Sequence, residues 1–146
     1  MKCIEYKGGF KYQLQKQYLT ETEILPDQPV VKHKSFISLD VNGMMVIEIG
    51  YAWDGPSGPT FDTLNFMRGS LVHDALYQLM REGVLDPIKF RKPADKLIRK
   101  MCIDDGMNPI RAWWVYSALR LMGKKAATPK DDPGVLHAPE GCPLSV

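Results

Sequence analysis

The sequence predicts an α+β fold: N-terminal antiparallel β-strands with a hairpin, a glycine-proline loop, three helices and an extended C-terminal tail. Three observations predict it. Apolar-polar alternation with a turn signal runs through residues 1–50. Residues 50–62 then hold three glycines and two prolines, which forbid regular structure. Beyond them, capping residues and glycine stops bracket three segments of helical periodicity. Residues 1–123 read as one α+β domain, with strands over 1–50, the loop over 51–62 and helices over 63–123. Residues 124–146 read as the tail.

Each element has its own signal. Phe10-Lys11-Tyr12-Gln13-Leu14 and Phe36-Ile37-Ser38-Leu39 alternate as half-buried strands do. Asp40-Val41-Asn42-Gly43 is a turn, and Met44 to Ile49 follows as a β-rich run, so residues 32–50 form a hairpin. Residues 21–29 are a loop. The glycine-proline loop is either ordered for a purpose or a plain connector; composition alone leaves both open. The first helix runs from Leu64 to Glu82, with Thr63 as cap and Gly83 beyond its end. The second ends near Asp105, before Gly106. Its start is ambiguous, since Asp86-Pro87 and Pro93 both carry start signals. The third runs from Pro109 to Met122, capped by Asn108 and stopped by Gly123. Four prolines and little periodicity mark residues 124–146 as extended chain lying on the domain or reaching for a partner.

Composition removes several function classes. The 146 residues fit one domain, and 45% are apolar, enough for a core without disulfide staples. Lys and Arg number 19 against 17 Asp and Glu, a net charge of +2. A dedicated nucleic-acid binder concentrates basic charge. Here Arg91, Lys92, Lys96, Arg99 and Lys100 alternate with Asp95 and apolar residues, as on a solvated helix face. No nucleic-acid partner is therefore expected. Cys3, Cys102 and Cys142 are odd in number and far apart, which argues against a disulfide framework and a paired-cysteine zinc site. The start MKCIEYKGGF has no apolar core of a signal peptide. The longest apolar stretch, AWWVYSALRLM, is interrupted by Arg120 and too short for a membrane span. Trp113, Trp114 and Tyr116 lie within it at helical spacing. The reading favoured here is core packing, with an interfacial belt as the alternative.

The chemistry concentrates on SLVHDALYQ. At about 100° per residue, His73 shares a helix edge with Phe66, Gly69, Tyr77 and Met80, beside the apolar face of Val72, Ala75, Leu76 and Leu79. It therefore sits at the border of the core. Asp74 leans toward Ser70, Gln78 and Arg81. A border imidazole, desolvated on one side, suits a general base. The reading that the His-Asp dipeptide alone favours is structural: a core-edge histidine bonded to a backbone carbonyl, with Asp74 paired to a surface base. Asp95, on the second helix, pairs locally with Arg99 four residues on, or faces the first helix and orients the His73 ring. A second helix beginning near Asp86 places Asp95 better for the latter. Glycine-rich backbone beside Asp74 and Asp54 offers oxygen ligands, which select calcium or magnesium over zinc.

Two resemblances follow from these residues. Asp54-Gly55-Pro56-Ser57-Gly58-Pro59, His73-Asp74 with Tyr77, and Arg91 with Ala94-Asp95 resemble an uncharacterised family of small tailed-phage and prophage proteins. That family has an Asp-Gly-Ala-Ser-x-Pro loop before His-Asp-x-x-Tyr and Arg-x-x-Ala-Asp. The match covers roughly residues 45–123 and implies a phage origin, with the host cytoplasm or the virion as location. The order of glycine loop, His-Asp-x-x-Tyr and Ala-Asp also looks like the phospholipase A2 pattern, above all its cysteine-poor viral versions. That resemblance implies His73 as the base that activates water, Asp95 as its orienting carboxylate and Tyr77 as support. It implies Asp74, with Asp54 and Gly55 of the loop, as calcium ligands. The loop departs from the phospholipase form: its glycines are spaced differently, Asp54 is extra, and Pro56 and Pro59 stiffen it.

Two functions follow as expectations. One is a calcium-assisted hydrolase of phospholipid esters, with a phospholipid membrane as partner. The other is a non-catalytic virion, tail or assembly component that contacts other virion proteins, in which the same residues are structural. A metal phosphohydrolase ranks last, because only His33 and His137 remain as further histidine ligands.

Overall fold

The computed structural model describes residues 4–6, 12–32, 36–53, 63–128 and 136–138. In chain order the elements are β1 (Ile4–Tyr6), β2 (Tyr12–Gln13), β3 (Tyr18–Glu21), β4 (Val30–Lys32), β5 (Ile37–Leu39), β6 (Met44–Ile47), β7 (Ala52–Trp53), α1 (Leu64–Arg81), α2 (Pro87–Asp104), α3 (Pro109–Met122), α4 (Lys124–Ala127) and β8 (Leu136–Ala138). This is the α+β order that the sequence predicts.

Four strands form an antiparallel sheet in the order β3-β6-β5-β4. The β5–β6 hairpin is built by its turn residues. Asp40 Oδ1 accepts from the backbone N–H groups of Asn42 and Met44, each at 2.9 Å. Gly43 closes the turn at φ +87°, where only glycine is unstrained. Alternation then sends Ile37, Leu39, Met45 and Ile47 inward, all buried. They share one core cluster with Val72, Ala75, Leu76, Leu79 and Met80 of α1. The β2–β7 pair fastens to α1 by polar contacts: Trp53 Nε1 donates to Ser70 Oγ at 3.3 Å, and Tyr51 Oη to Gln78 Oε1 at 2.9 Å.

The helices stack in sequence. A second cluster joins Phe66, Ile98, Cys102, Met107, Ala112 and Val115 across α1, α2 and α3. Gly69 lets α1 and α2 approach, since a Cβ there would stand 3.1 Å from both Cys102 Sγ and Ile98 Cγ1. The ambiguous start of α2 resolves at Pro87: Asp86 Oδ1 caps the Ile88 N–H at 2.9 Å, and the helix runs on through Pro93. Asn108 caps α3 in the same way through Ile110 N–H, at 2.8 Å. Thr63 precedes α1 but makes no side-chain cap; its hydroxyl donates to Asn65 Oδ1.

The tail carries two short elements. Residues 124–127 form a short helix that continues from α3, and residues 136–138 form a strand antiparallel to β1. The aromatic residues of α3 are not core: Trp113 and Trp114 are 52% and 46% exposed. Ala112 and Val115 fill the packed side instead, so the small residues decide which face turns inward. No helix among the described residues is long and apolar enough to cross a membrane.

The Asp86 cap satisfies an N–H that would otherwise lack an intrahelical partner. Asp86→Ala is expected to cost about 1 kcal/mol. A urea titration reads this as a lower midpoint with an unchanged slope.

Candidate active site

Asp95 is the centre of the site. It lies in the third turn of α2 with 0% exposure. A carboxylate this buried must be hydrogen-bonded or neutralised, and its two oxygens divide that work. Oδ1 faces His73 Nε2 at 2.8 Å and accepts from Tyr77 Oη at 2.5 Å. Oδ2 accepts from Arg120 Nη1 at 2.8 Å. Three helices therefore meet on one side chain: α1 supplies His73 and Tyr77, α2 supplies Asp95, and α3 supplies Arg120.

Helix geometry explains the convergence. His73 and Tyr77 are four residues apart, so they stack on one edge of α1. Their rings lie 4.0 Å apart at 37°. Since α2 begins at Pro87, Asp95 stands level with that pair. The alternative local pairing of Asp95 with Arg99 is displaced: the Arg99 guanidinium lies over the Tyr116 ring at 5.9 Å. His73 is deeper than the border position that periodicity suggests, at 5% exposure.

The electrostatics favour an ionised Asp95. Burial alone would raise its carboxyl. The hydrogen bonds from His73, Tyr77 and Arg120 outweigh burial and hold it below the usual range. Burial first, and then the Asp95 carboxylate, push the Tyr77 phenol upward, so it stays protonated and donates. A carboxylate only accepts. The nitrogen facing it, Nε2, therefore carries the proton, and in the neutral ring the lone pair stands on Nδ1. Among the described residues, no hydrogen bond occupies Nδ1.

Arg120 was visible in the sequence only as the charge that interrupts an apolar helix. A lone cation in such a setting signals a buried anion, which is the clue that could have found it. Arg91 also acts here. Its Nη2 donates to the carbonyls of Leu119 and Arg120, at 2.7 and 2.9 Å, and so fixes the end of α3 that carries Arg120. Gly123 leaves room for this arrangement. A Cβ there would stand 2.8 Å from Tyr77 Oη and 2.6 Å from the Leu119 carbonyl oxygen.

The proposed metal ligands are less complete. Asp74 is half-buried on α1 and is not among the groups bonded to Asp95. Asp54 and Gly55 lie outside the described residues, as do His33, Cys3 and Cys142. Among the described residues, no group of three or more His, Cys, Asp or Glu is gathered to hold a metal ion. Cys102 is buried, and that burial pushes its thiol up to about 11, so it is no nucleophile at neutral pH. Comparison with known protein families, with curated proteins and with solved structures found no match to the chain.

Two outcomes test the cluster. Because Asp95 is more acidic folded than unfolded, its contribution to stability is complete above the unfolded value of about 4. That contribution is lost as pH falls from there through the folded value. Urea midpoints of the wild type should therefore fall with acidification below about pH 4, and those of Asp95→Asn should fall less steeply. Gly123→Ala, which crowds Tyr77 and the end of α3, should cost about 1–3 kcal/mol in the same titration at neutral pH.

Proposed function

We propose that the chain is a phage-encoded hydrolase of phospholipid esters in which His73 is the general base. One observation carries this reading: Asp95 engages Nε2 of a buried imidazole, so the basic lone pair stands on Nδ1. A base needs that nitrogen within hydrogen-bond reach of the water it deprotonates. Asp95 sets the tautomer and offsets the positive charge that develops on the ring, the role of the carboxylate in a hydrolytic triad. Tyr77 and Arg120 hold Asp95 ionised and in place. The His-Asp-x-x-Tyr and Ala-Asp resemblance to phospholipase A2 supplies the substrate class.

Asp74, with Asp54 and the carbonyl of Gly55, would hold the cation of this proposal. The donors are all oxygen, which fits calcium. Bound there, calcium supplies polarisation of the ester carbonyl and neutralisation of its oxyanion. This chain's own contribution is to hold the base, exclude water behind it and receive the proton at Nδ1.

A second reading is a non-catalytic virion or assembly component, and it has its own support. Asp95 collects donors from α1 and α3, so the cluster would pin the helices together even without a reaction.

Release of fatty acid from phospholipid vesicles separates the two readings. The hydrolase reading expects calcium-dependent release that falls by about 10²–10⁴ in His73→Ala. Full activity in that variant, or no release by folded wild type in calcium, would contradict it.

A further inference from the structure

Helix α3 has two apolar faces. Ala112, Val115 and Leu119 pack inward. Ile110, Trp113, Trp114 and Leu121 recur at helical spacing on the opposite side, and all four are exposed, Ile110 at 78% and Leu121 at 85%. A helix that is apolar all round is normally covered. The open stripe contains both tryptophans of the helix, and tryptophan carries a large apolar ring with one polar edge.

The charge around this stripe is of one sign. From residue 106 to residue 128 there is no Asp or Glu, while Arg111, Lys124 and Lys125 are spread along the segment, besides Arg120, which is paired with Asp95. One turn from Trp113, Tyr116 borders a groove of about 410 Å³ between α2 and α3. Lys96, Arg99 and Lys100 line it, with Ile103 and the single acid Asp104. Lys100 is engaged by Glu23 at 2.9 Å. The Arg99 guanidinium lies at the groove over the Tyr116 ring, 5.9 Å from its centroid.

We infer that the α2–α3 seam is a docking surface for the anionic face of a phospholipid bilayer. Trp113, Trp114, Ile110 and Leu121 enter the boundary between headgroups and acyl chains. Lys96, Arg99, Lys124 and Lys125 meet lipid phosphates. Apolar area and basic charge on one helical surface are the two components of interfacial binding. A second copy of the chain fits less well. A two-fold axis across α3 would set the Arg111 end of one copy against the Lys124-Lys125 end of the other, with no carboxylate on the stripe to offset them. The attachment does not depend on His73 being a base.

The test is flotation of the full chain with phosphatidylcholine vesicles, with and without phosphatidylglycerol, in a calcium chelator so that hydrolysis does not intervene. The wild type is expected to float with the anionic vesicles, with a blue shift of tryptophan emission, and to be released by salt. The double variant Trp113→Gln/Trp114→Gln removes only exposed side chains and should bind at least about tenfold more weakly. Arg99→Gln should bind about fivefold more weakly, the effect of one basic contact. Three results would overturn the inference: no flotation of wild type with anionic vesicles, flotation unchanged in the double tryptophan variant, or a solution dimer of wild type that this variant dissociates. Inorganic phosphate that displaces the protein from vesicles at equimolar lipid phosphate would also overturn it, by making the groove a site for free anion.

Discussion

One buried carboxylate sets the arrangement of the helical half. Asp95 is fully buried, and its two oxygens are satisfied by protein donors. Those donors come from both neighbouring helices: His73 and Tyr77 on α1, Arg120 on α3. The register of α1 against α2 and the rotation of α3 are both constrained by that requirement. Arg91 and Gly123 serve it from one step away, Arg91 by holding the carbonyls beside Arg120 and Gly123 by leaving space beside Tyr77 Oη. The apolar contacts around Gly69 and Cys102 bring the helices close. They do not choose among rotations, because apolar contact is non-directional.

Much of this was legible in the sequence, where local chemistry determines local structure. Asp86-Pro87 and Asn108-Pro109 start α2 and α3 by capping, and the turn at Asp40 to Gly43 makes the hairpin. The His73 and Tyr77 pair follows from four-residue spacing, and the resemblances brought Asp95 to their side. What stayed hidden depends on distance along the chain. Arg120 is 25 residues from Asp95, and no periodicity links them. The pairing of β1 with β8 joins the two ends of the described chain. The exposure of Trp113 and Trp114 is not legible in the sequence, because apolar residues lie on both sides of α3. Periodicity then gives no sign of which side turns inward; the small residues Ala112 and Val115 settle it by allowing closer packing against α2.

The two halves of the functional account lie on different surfaces of the same helices. The inner side of α3 sends Arg120 to Asp95, and its outer side presents the tryptophans and their flanking cations. The proposed base in the helical core and the proposed bilayer-docking surface would suit one phospholipid-directed protein. Each is nevertheless a separate physical claim, one about proton transfer and the other about adsorption.

The central claim is that Asp95 fixes the His73 tautomer. Long-range nitrogen-proton correlation spectra of imidazole-labelled protein at neutral pH read this directly, with ring nitrogens assigned by comparison with His73→Gln. The account predicts a proton on Nε2 and an unprotonated Nδ1 for the neutral ring, with the Nε2 signal moved in Asp95→Asn. A proton resident on Nδ1, or a ring that exchanges between tautomers and does not respond to Asp95→Asn, would contradict it.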